Sequence, residues 1–279
     1  MRDAVISFPM FGENFAIDPP SAISIGSFSI YFYGIIIAIG FVLAVVYASR
    51  RHERLGMDMD TVYDLVIFAV ISAIIFARLY YVVFYWSQFK GRPFIDIINL
   101  RDGGLAIYGG IIGAVLALYL RCRWKKYCFP AALDIAAFGL LIGQMVGRWG
   151  NFFNREAYGY ETDIFCRMGL SLNGRTIYVH PTFLYESLWN LVGFIALHFL
   201  SKKRIKYRGE FFTLYVFWYG LGRMLIEGLR QDSLWLIDNV IRVSQLLAGV
   251  SMVLAAAVYI VNLRRLKKGK KPILGQAID

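Results

Sequence analysis

The chain has 279 residues, 58% of them hydrophobic and 16% aromatic, with a mean hydropathy of +0.54 and a formal charge of +11. Soluble domains are about 45–50% apolar, so this composition excludes an ordinary soluble domain and a disordered chain and indicates a polytopic membrane protein. The charge does not indicate a nucleic-acid partner: the basic residues flank apolar stretches, where positive-inside topology and anionic headgroups account for them.

Residues 1 to 25 carry Asp3, Glu13 and Asp18 and lack the charged start, short apolar core and small-residue cleavage site of a secretory signal, so the first span is expected to be an uncleaved anchor. Apolar stretches of membrane-spanning length lie near 26 to 49, 61 to 85, 104 to 122, 131 to 150, 181 to 200, 210 to 228 and 240 to 263. The expected fold is all-α, with seven transmembrane helices in a single integral membrane domain over residues 1 to 279. Basic residues follow alternate spans: Arg50, Arg51 and Arg54; Arg121, Arg123, Lys125 and Lys126; Lys202, Lys203, Arg204, Lys206 and Arg208; then a basic tail from 264 to 279. That asymmetry predicts an outside N-terminus and a cytoplasmic C-terminus.

Two outer connections carry structure of their own. Residues 86 to 103 read as an interfacial arm whose aromatic and apolar residues dip into the headgroups. Residues 151 to 180 read as a small extracytoplasmic cap, with Asn173-Gly174 as a turn between strands at Met168 to Leu172 and Thr176 to Val179. Cys122 and Cys128 fall on the cytoplasmic face and Cys166 outside, so neither a disulfide nor a metal site is expected.

Ionisable groups within a membrane are costly and usually face a bundle interior or a polar cavity. Here they form three clusters. The fourth span ends in Gly-Arg-Trp-Gly-Asn-Phe-Phe-Asn-Arg-Glu-Ala-Tyr-Gly, residues 147 to 159. Gln144, Arg148 and Asn151 share one helix face, while Gly139, Gly143 and Gly147 form a neighbouring ridge suited to helix packing. His180-Pro181-Thr182-Phe183-Leu184-Tyr185-Glu186 opens the fifth span, with His180 either an interfacial cap or a functional group. In the sixth, Tyr219, Arg223, Glu227 and Arg230 lie on one stripe, which reads either as a structural Arg223–Glu227 pair or as part of a site. Together the clusters place Arg148, Arg223 and Arg230 with Glu156, Glu186 and Glu227 near the outer half of one cavity. Arginine's planar fork suits the phosphate of a phospholipid headgroup.

Over nearly its whole length the chain resembles the prolipoprotein diacylglyceryl transferase family. The resemblance rests on Gly147-Arg148 through Asn151-Phe152, Asn154, Glu156 and Gly159, and on Tyr33-Gly34, Gly103-Gly104 with Gly109-Gly110, His180-Pro181 to Tyr185-Glu186, and Tyr219-Gly220 to Arg223, Glu227 and Arg230. It implies a bacterial cytoplasmic-membrane enzyme acting on the extracytoplasmic side. Such an enzyme moves the diacylglyceryl group of phosphatidylglycerol to the lipobox cysteine of a preprolipoprotein, forming a thioether and releasing glycerol phosphate, without a cofactor. On this resemblance the catalytic residues are Arg148, Arg223, Tyr108 and Glu227. Phosphatidylglycerol is bound by Arg148, Asn151, Glu156, Gly159, Tyr33, Tyr219, Arg230, Glu186 and His180.

One position departs from the family pattern: Tyr108 stands where many members have a histidine proposed as the base. A phenol with a pKa near 10 is a poor proton acceptor beside a thiol near 8.5. Tyr108 ionises beside arginine, or Glu186 or His180 serves as base, or the positive cavity lowers the substrate thiol's pKa while Tyr108 orients substrate. Two other function classes were weighed. A transporter for an anionic or phosphorylated solute needs a polar path through both membrane halves and commonly an internal repeat; the charged clusters crowd one half and no regular repeat is present. A purely structural subunit does not need three polar clusters.

Overall fold

The computed structural model describes residues 4–12, 15–26, 28–100, 103–231, 235–237 and 241–278. Asp3, Glu13, Arg101, Asp102, the start of the predicted seventh span at residue 240 and the last residue of the predicted tail lie outside them. In chain order the elements are β1 (Val5–Ser7), β2 (Ala16–Ile17), β3 (Ala22–Ile25), β4 (Phe28–Tyr31), α1 (Phe32–Arg51), α2 (Met59–Phe84), α3 (Trp86–Phe89), α4 (Phe94–Ile98), α5 (Ile107–Lys125) and α6 (Phe129–Asn154). They continue with β5 (Met168–Leu172), β6 (Arg175–Val179), α7 (Thr182–Lys203), β7 (Tyr207–Arg208), α8 (Glu210–Glu227), β8 (Trp235–Ile237), β9 (Ile241–Arg242), α9 (Val243–Lys267) and β10 (Gln276–Ala277).

The protein is mostly helical and multi-pass. Five helices, α1, α2, α6, α7 and α9, are long and apolar enough to cross a membrane; α5 and α8 do not reach that apolarity. The first helix starts at Phe32, later than the expected boundary at 26. Strands β3 and β4 pair antiparallel before it instead, because Ile23, Ser24 and Ile25 and then Ser29 and Ile30 alternate with the period of a strand, and Gly26 has a positive φ of 62° after β3.

The described residues fall into two compact units, 1–50 with 134–279, and 51–133. In the first, the glycine ridge of α6 packs on α1: a Cβ on Gly139 would lie 3.6 Å from Ala44, one on Gly147 3.2 Å from Ile37, and one on Gly40 3.3 Å from Val146. Helices α7 and α8 are joined by Trp189 and Trp218, stacked with centroids 4.5 Å apart, each indole N–H donating to the other residue's carbonyl at 3.0 and 2.9 Å. Gly193 and Gly222 make room for these indoles, since a Cβ at either would fall within 2.3 Å of the facing Nε1. The buried Asp134 carboxylate accepts from the backbone N–H groups of Gly209 and Phe212, capping the start of α8.

The hairpin around Asn173-Gly174 is present, with φ of 52° and 77° at those residues, and it belongs to a larger sheet of order β2-β1-β5-β6. Strands β1 and β2 were not expected, because three and two residues are too short for a periodic signal. They bring Ala4, Ile6 and Phe8 into a core with Phe152, Met168, Leu170, Val179 and Phe183. Arg155, at a φ of 48° just past α6, is buried and fastens this core: Nε donates to the Ala4 carbonyl at 3.0 Å, Nη1 to the Phe153 carbonyl at 2.7 Å, and Nη2 pairs with Asp18 at 2.7 Å.

In the second unit, α2 and α5 meet so closely that a Cβ on Gly109 would fall 2.4 Å from the Phe76 carbonyl and one on Gly113 2.5 Å from the Phe76 side chain. Asp58 caps α2 through the Thr61 hydroxyl and N–H, both at 2.7 Å, and these bonds hold its carboxyl below the usual carboxylate range. Arg78 donates to the backbone carbonyls of Asp96, Ile97, Gly103 and Gly104 at 2.7 to 3.1 Å, and so ties α4 to the chain at Gly103 and Gly104. Phe94 and Ile95 on α4 remain exposed.

Candidate active site

Three helix ends of the first unit, those of α6, α7 and α8, carry one charged network. Its hub is Glu186, in the first turns of α7, a buried carboxylate approached by three arginines. Arg148, two turns from the end of α6, places Nη2 2.5 Å from Glu186 Oε2. Arg223 on α8 donates Nη1 to Glu186 Oε1 and Oε2 at 3.3 and 3.2 Å. Arg230, three residues beyond α8, donates Nη1 to Oε1 at 3.0 Å. Arg223 also sets Nη2 2.7 Å from Glu227 Oε2, the i,i+4 pair that a structural reading of this stripe predicts, and Glu227 is itself buried. The pair therefore exists, but as one edge of a network spanning three helices.

The second layer consists of amides. Arg148 Nη1 donates to Asn151 Oδ1 at 3.4 Å, and the Asn151 and Asn154 amides both donate to Glu156 Oε1, at 3.0 and 3.2 Å. Glu156 is thereby oriented without an arginine of its own among these bonds. Gly159 pairs with Arg230 in a short bridge, and its N–H donates to the His180 carbonyl at 2.9 Å. No side chain fits there, because a Cβ would fall 2.6 Å from the Leu229 carbonyl and 2.7 Å from His180 Cβ. His180 sets Nδ1 3.3 Å from the Tyr185 hydroxyl, and burial moves its pKa below the ordinary histidine value, which favours neutral imidazole at pH 7.

Among the remaining predicted residues, the Tyr33 ring on α1 lies against Gly150, where a Cβ would be 2.6 Å from Tyr33 Cδ2. Tyr219 stacks on Tyr215, whose hydroxyl accepts from Gln144 at 2.8 Å one turn from Arg148. Tyr108 belongs to the other unit, on the first turn of α5, with 59% of its surface exposed. The network thus brings together Arg148, Glu186, Arg223, Glu227 and Arg230, with Asn151 one bond further out and Glu156 two.

Sequence reasoning missed Asn154 as the second amide on Glu156. It also missed Asn190, buried one turn below Glu186 and donating to its carbonyl at 2.8 Å. Arg242 was missed too; it is buried with its guanidinium 4.7 Å from the Trp235 ring centroid and bonded to the Tyr160 hydroxyl at 3.2 Å. Asn154 had a signal in the motif of residues 147 to 159, and Asn190 had one as an amide inside an apolar span one turn from a carboxylate.

Buried carboxylates engaged by guanidinium groups hold those groups fixed in place. Arg148 and Arg223 keep about a fifth of their side-chain surface open, 20% and 19%. The arrangement can receive an anion on a preorganised surface of N–H donors, the geometry that stabilises charge developing on a leaving oxygen.

Comparison with known proteins agrees with this chemistry. The family described as prolipoprotein diacylglyceryl transferase matches residues 20–261. A protein of Bacillus cereus strain G9842, named phosphatidylglycerol–prolipoprotein diacylglyceryl transferase, is 44% identical over 258 residues, covering 90% of this chain and 94% of its own. A protein of the same name from Bacillus mycoides is 44% identical over 261 residues, covering 91% and 95%.

Proposed function

The chain belongs to the prolipoprotein diacylglyceryl transferase family, and from that membership and the three-arginine hub at Glu186 we propose how it works. It is a membrane transferase of lipoprotein biosynthesis that moves the diacylglyceryl group of phosphatidylglycerol to a prolipoprotein. The acceptor is the lipobox cysteine. Its thiolate attacks the glyceryl carbon bonded to the phosphate ester; a carbon–sulfur bond forms, the carbon–oxygen bond breaks, and glycerol phosphate leaves with the electron pair.

Arg148 and Arg223 hold the phosphate and stabilise the charge that grows on its leaving oxygen, and Glu186 and Glu227 hold those arginines in place. Arg230, Asn151 and Glu156 shape the headgroup end of the site, with Gly159, His180, Tyr33 and Tyr219 as its walls. The partly open guanidinium groups of Arg148 and Arg223 favour the thiolate beside them, and Tyr108 orients substrate rather than accepting the proton. The protein lies in the bacterial cytoplasmic membrane with seven spans, α5 and α8 included, its N-terminus, cap and active site outside and its basic tail in the cytoplasm. Residues 86–103 rest in the headgroup layer.

The arginine cluster carries this reading, and lysine substitution tests it by keeping the charge and removing the fork. Arg148→Lys and Arg223→Lys are each expected to lower turnover about a hundredfold, as loss of one oxyanion donor does. In the same series Tyr108→Phe is expected to cost less than the roughly 10²- to 10⁴-fold contribution of a general base. Near-parental turnover in both lysine variants reduces the arginines to structural charges, and complete loss in a folded Tyr108→Phe enzyme makes Tyr108 the base.

A further inference from the structure

Glu227 has one partner outside its own helix that the reaction scheme does not use. Ser244, in the first turn of α9, donates its hydroxyl to Glu227 Oε1, while Oε2 faces Arg223 Nη2 at 2.7 Å. Arg223 and Glu227 are one turn apart on α8, a spacing at which a carboxylate can grip both ends of a guanidinium fork. Here only Oε2 faces Arg223, and Oε1 accepts from Ser244. Arg223 Nη1 points to Glu186 at 3.2 to 3.3 Å.

The seam that delivers Ser244 is tight. A Cβ on Gly220 would lie 2.9 Å from the Ala248 carbonyl, and the neighbouring Gln245 donates Nε2 to the Met224 carbonyl at 3.1 Å. Glu227 is buried, so water does not replace a lost donor at little cost.

We infer that Ser244 is a positioning residue: by holding one oxygen of Glu227 it fixes the carboxylate that anchors Arg223, and so sets how that guanidinium meets the phosphate. The inference rests on the proposed transfer from phosphatidylglycerol. Without the hydroxyl, Glu227 no longer keeps one orientation, and Arg223 loses its fixed place in the site. The effect falls on the step in which charge develops, because Arg148 still binds the headgroup in the ground state.

The test compares Ser244→Ala, Ser244→Thr, Glu227→Gln and the Ser244→Ala/Glu227→Gln double variant in a detergent assay with phosphatidylglycerol and a lipobox peptide, with the melting temperature of each. Ser244→Ala is expected to lower kcat about tenfold, the size of a lost hydrogen bond to a charged group, with KM for the lipid within twofold. Ser244→Thr keeps the hydroxyl and is expected to restore most of the rate. In the double variant, Ser244→Ala adds little to Glu227→Gln, since both act through one carboxylate.

Parental kcat in Ser244→Ala overturns the proposal. Equal losses in the alanine and threonine variants that track their melting temperatures also overturn it, as does a full additive loss in the double variant. If the parent chain itself transfers no diacylglyceryl group, the functional reading fails, a result distinct from any difference within the Ser244 series.

Discussion

Glu186 is where the charged network concentrates. A carboxylate among three arginines occupies a place suited to a phosphate, and its negative charge sets how strongly the cluster attracts a second anion. Charges about 4 Å apart interact by roughly 4 kcal/mol at an effective dielectric near 20, so removing this one matters. Glu186→Gln is expected to lower the melting temperature, because three arginines lose their common partner, yet to strengthen inhibition by free glycerol phosphate about tenfold or more. Measuring both on one preparation separates the two effects. Unchanged or weaker inhibition in a folded variant contradicts the view of the cluster as an anion site. Much of this was legible in the sequence: Arg148, Glu186 and Arg223 are ionisable residues in apolar spans, and helical periodicity aligned Arg148 with Asn151 and Arg223 with Glu227, whereas Arg230, expected on the same helical stripe, lies three residues past the end of α8. Ser244 was not legible, since a serine in the first turn of an apolar helix has no distinguishing pattern; only the packing of α9 on α8 brings it to Glu227.

The spans follow from apolar length, and the structure places long helices over each predicted stretch, with α1 shortened by the paired strands β3 and β4. What the sequence did not show were strands of two to four residues, whose pairing depends on partners far along the chain, as Ile6 with Leu170 does. Helices α5 and α8 pose the sharper question. At 19 and 18 residues they measure about 28 and 27 Å, close to the roughly 30 Å hydrocarbon core, yet they are the two long helices outside the apolar set. In α8 the deficit comes partly from Arg223 and Glu227, which neutralise one another, and in α5 from basic residues at its end, Arg123 and Lys125 among them. Both are therefore expected to cross. In a cysteine-free background, single cysteines at Leu105 and Lys126, and at Arg208 and Gln231, should label from opposite membrane sides within each pair. Labelling of either pair from one side shows that its helix does not span.

At the scale of the whole molecule, the first unit gathers one charged network at the ends of three helices, beside a small sheet whose core is tied down by Arg155. Such a structure suits a reaction whose lipid arrives sideways from the leaflet and whose peptide is itself membrane-anchored. Metal and nucleotide have no assigned step in this scheme, since a thiolate and a phosphate leaving group need only positioning and charge stabilisation. The most direct measurement incubates the purified chain in detergent with phosphatidylglycerol labelled in its acyl chains and a lipobox peptide bearing a free thiol, with chelator present. The account predicts a diacylglyceryl-peptide thioether and one equivalent of glycerol phosphate, lost when the cysteine is replaced by serine. No thioether product with intact lipid and thiol, or product only from a different phospholipid, would contradict it.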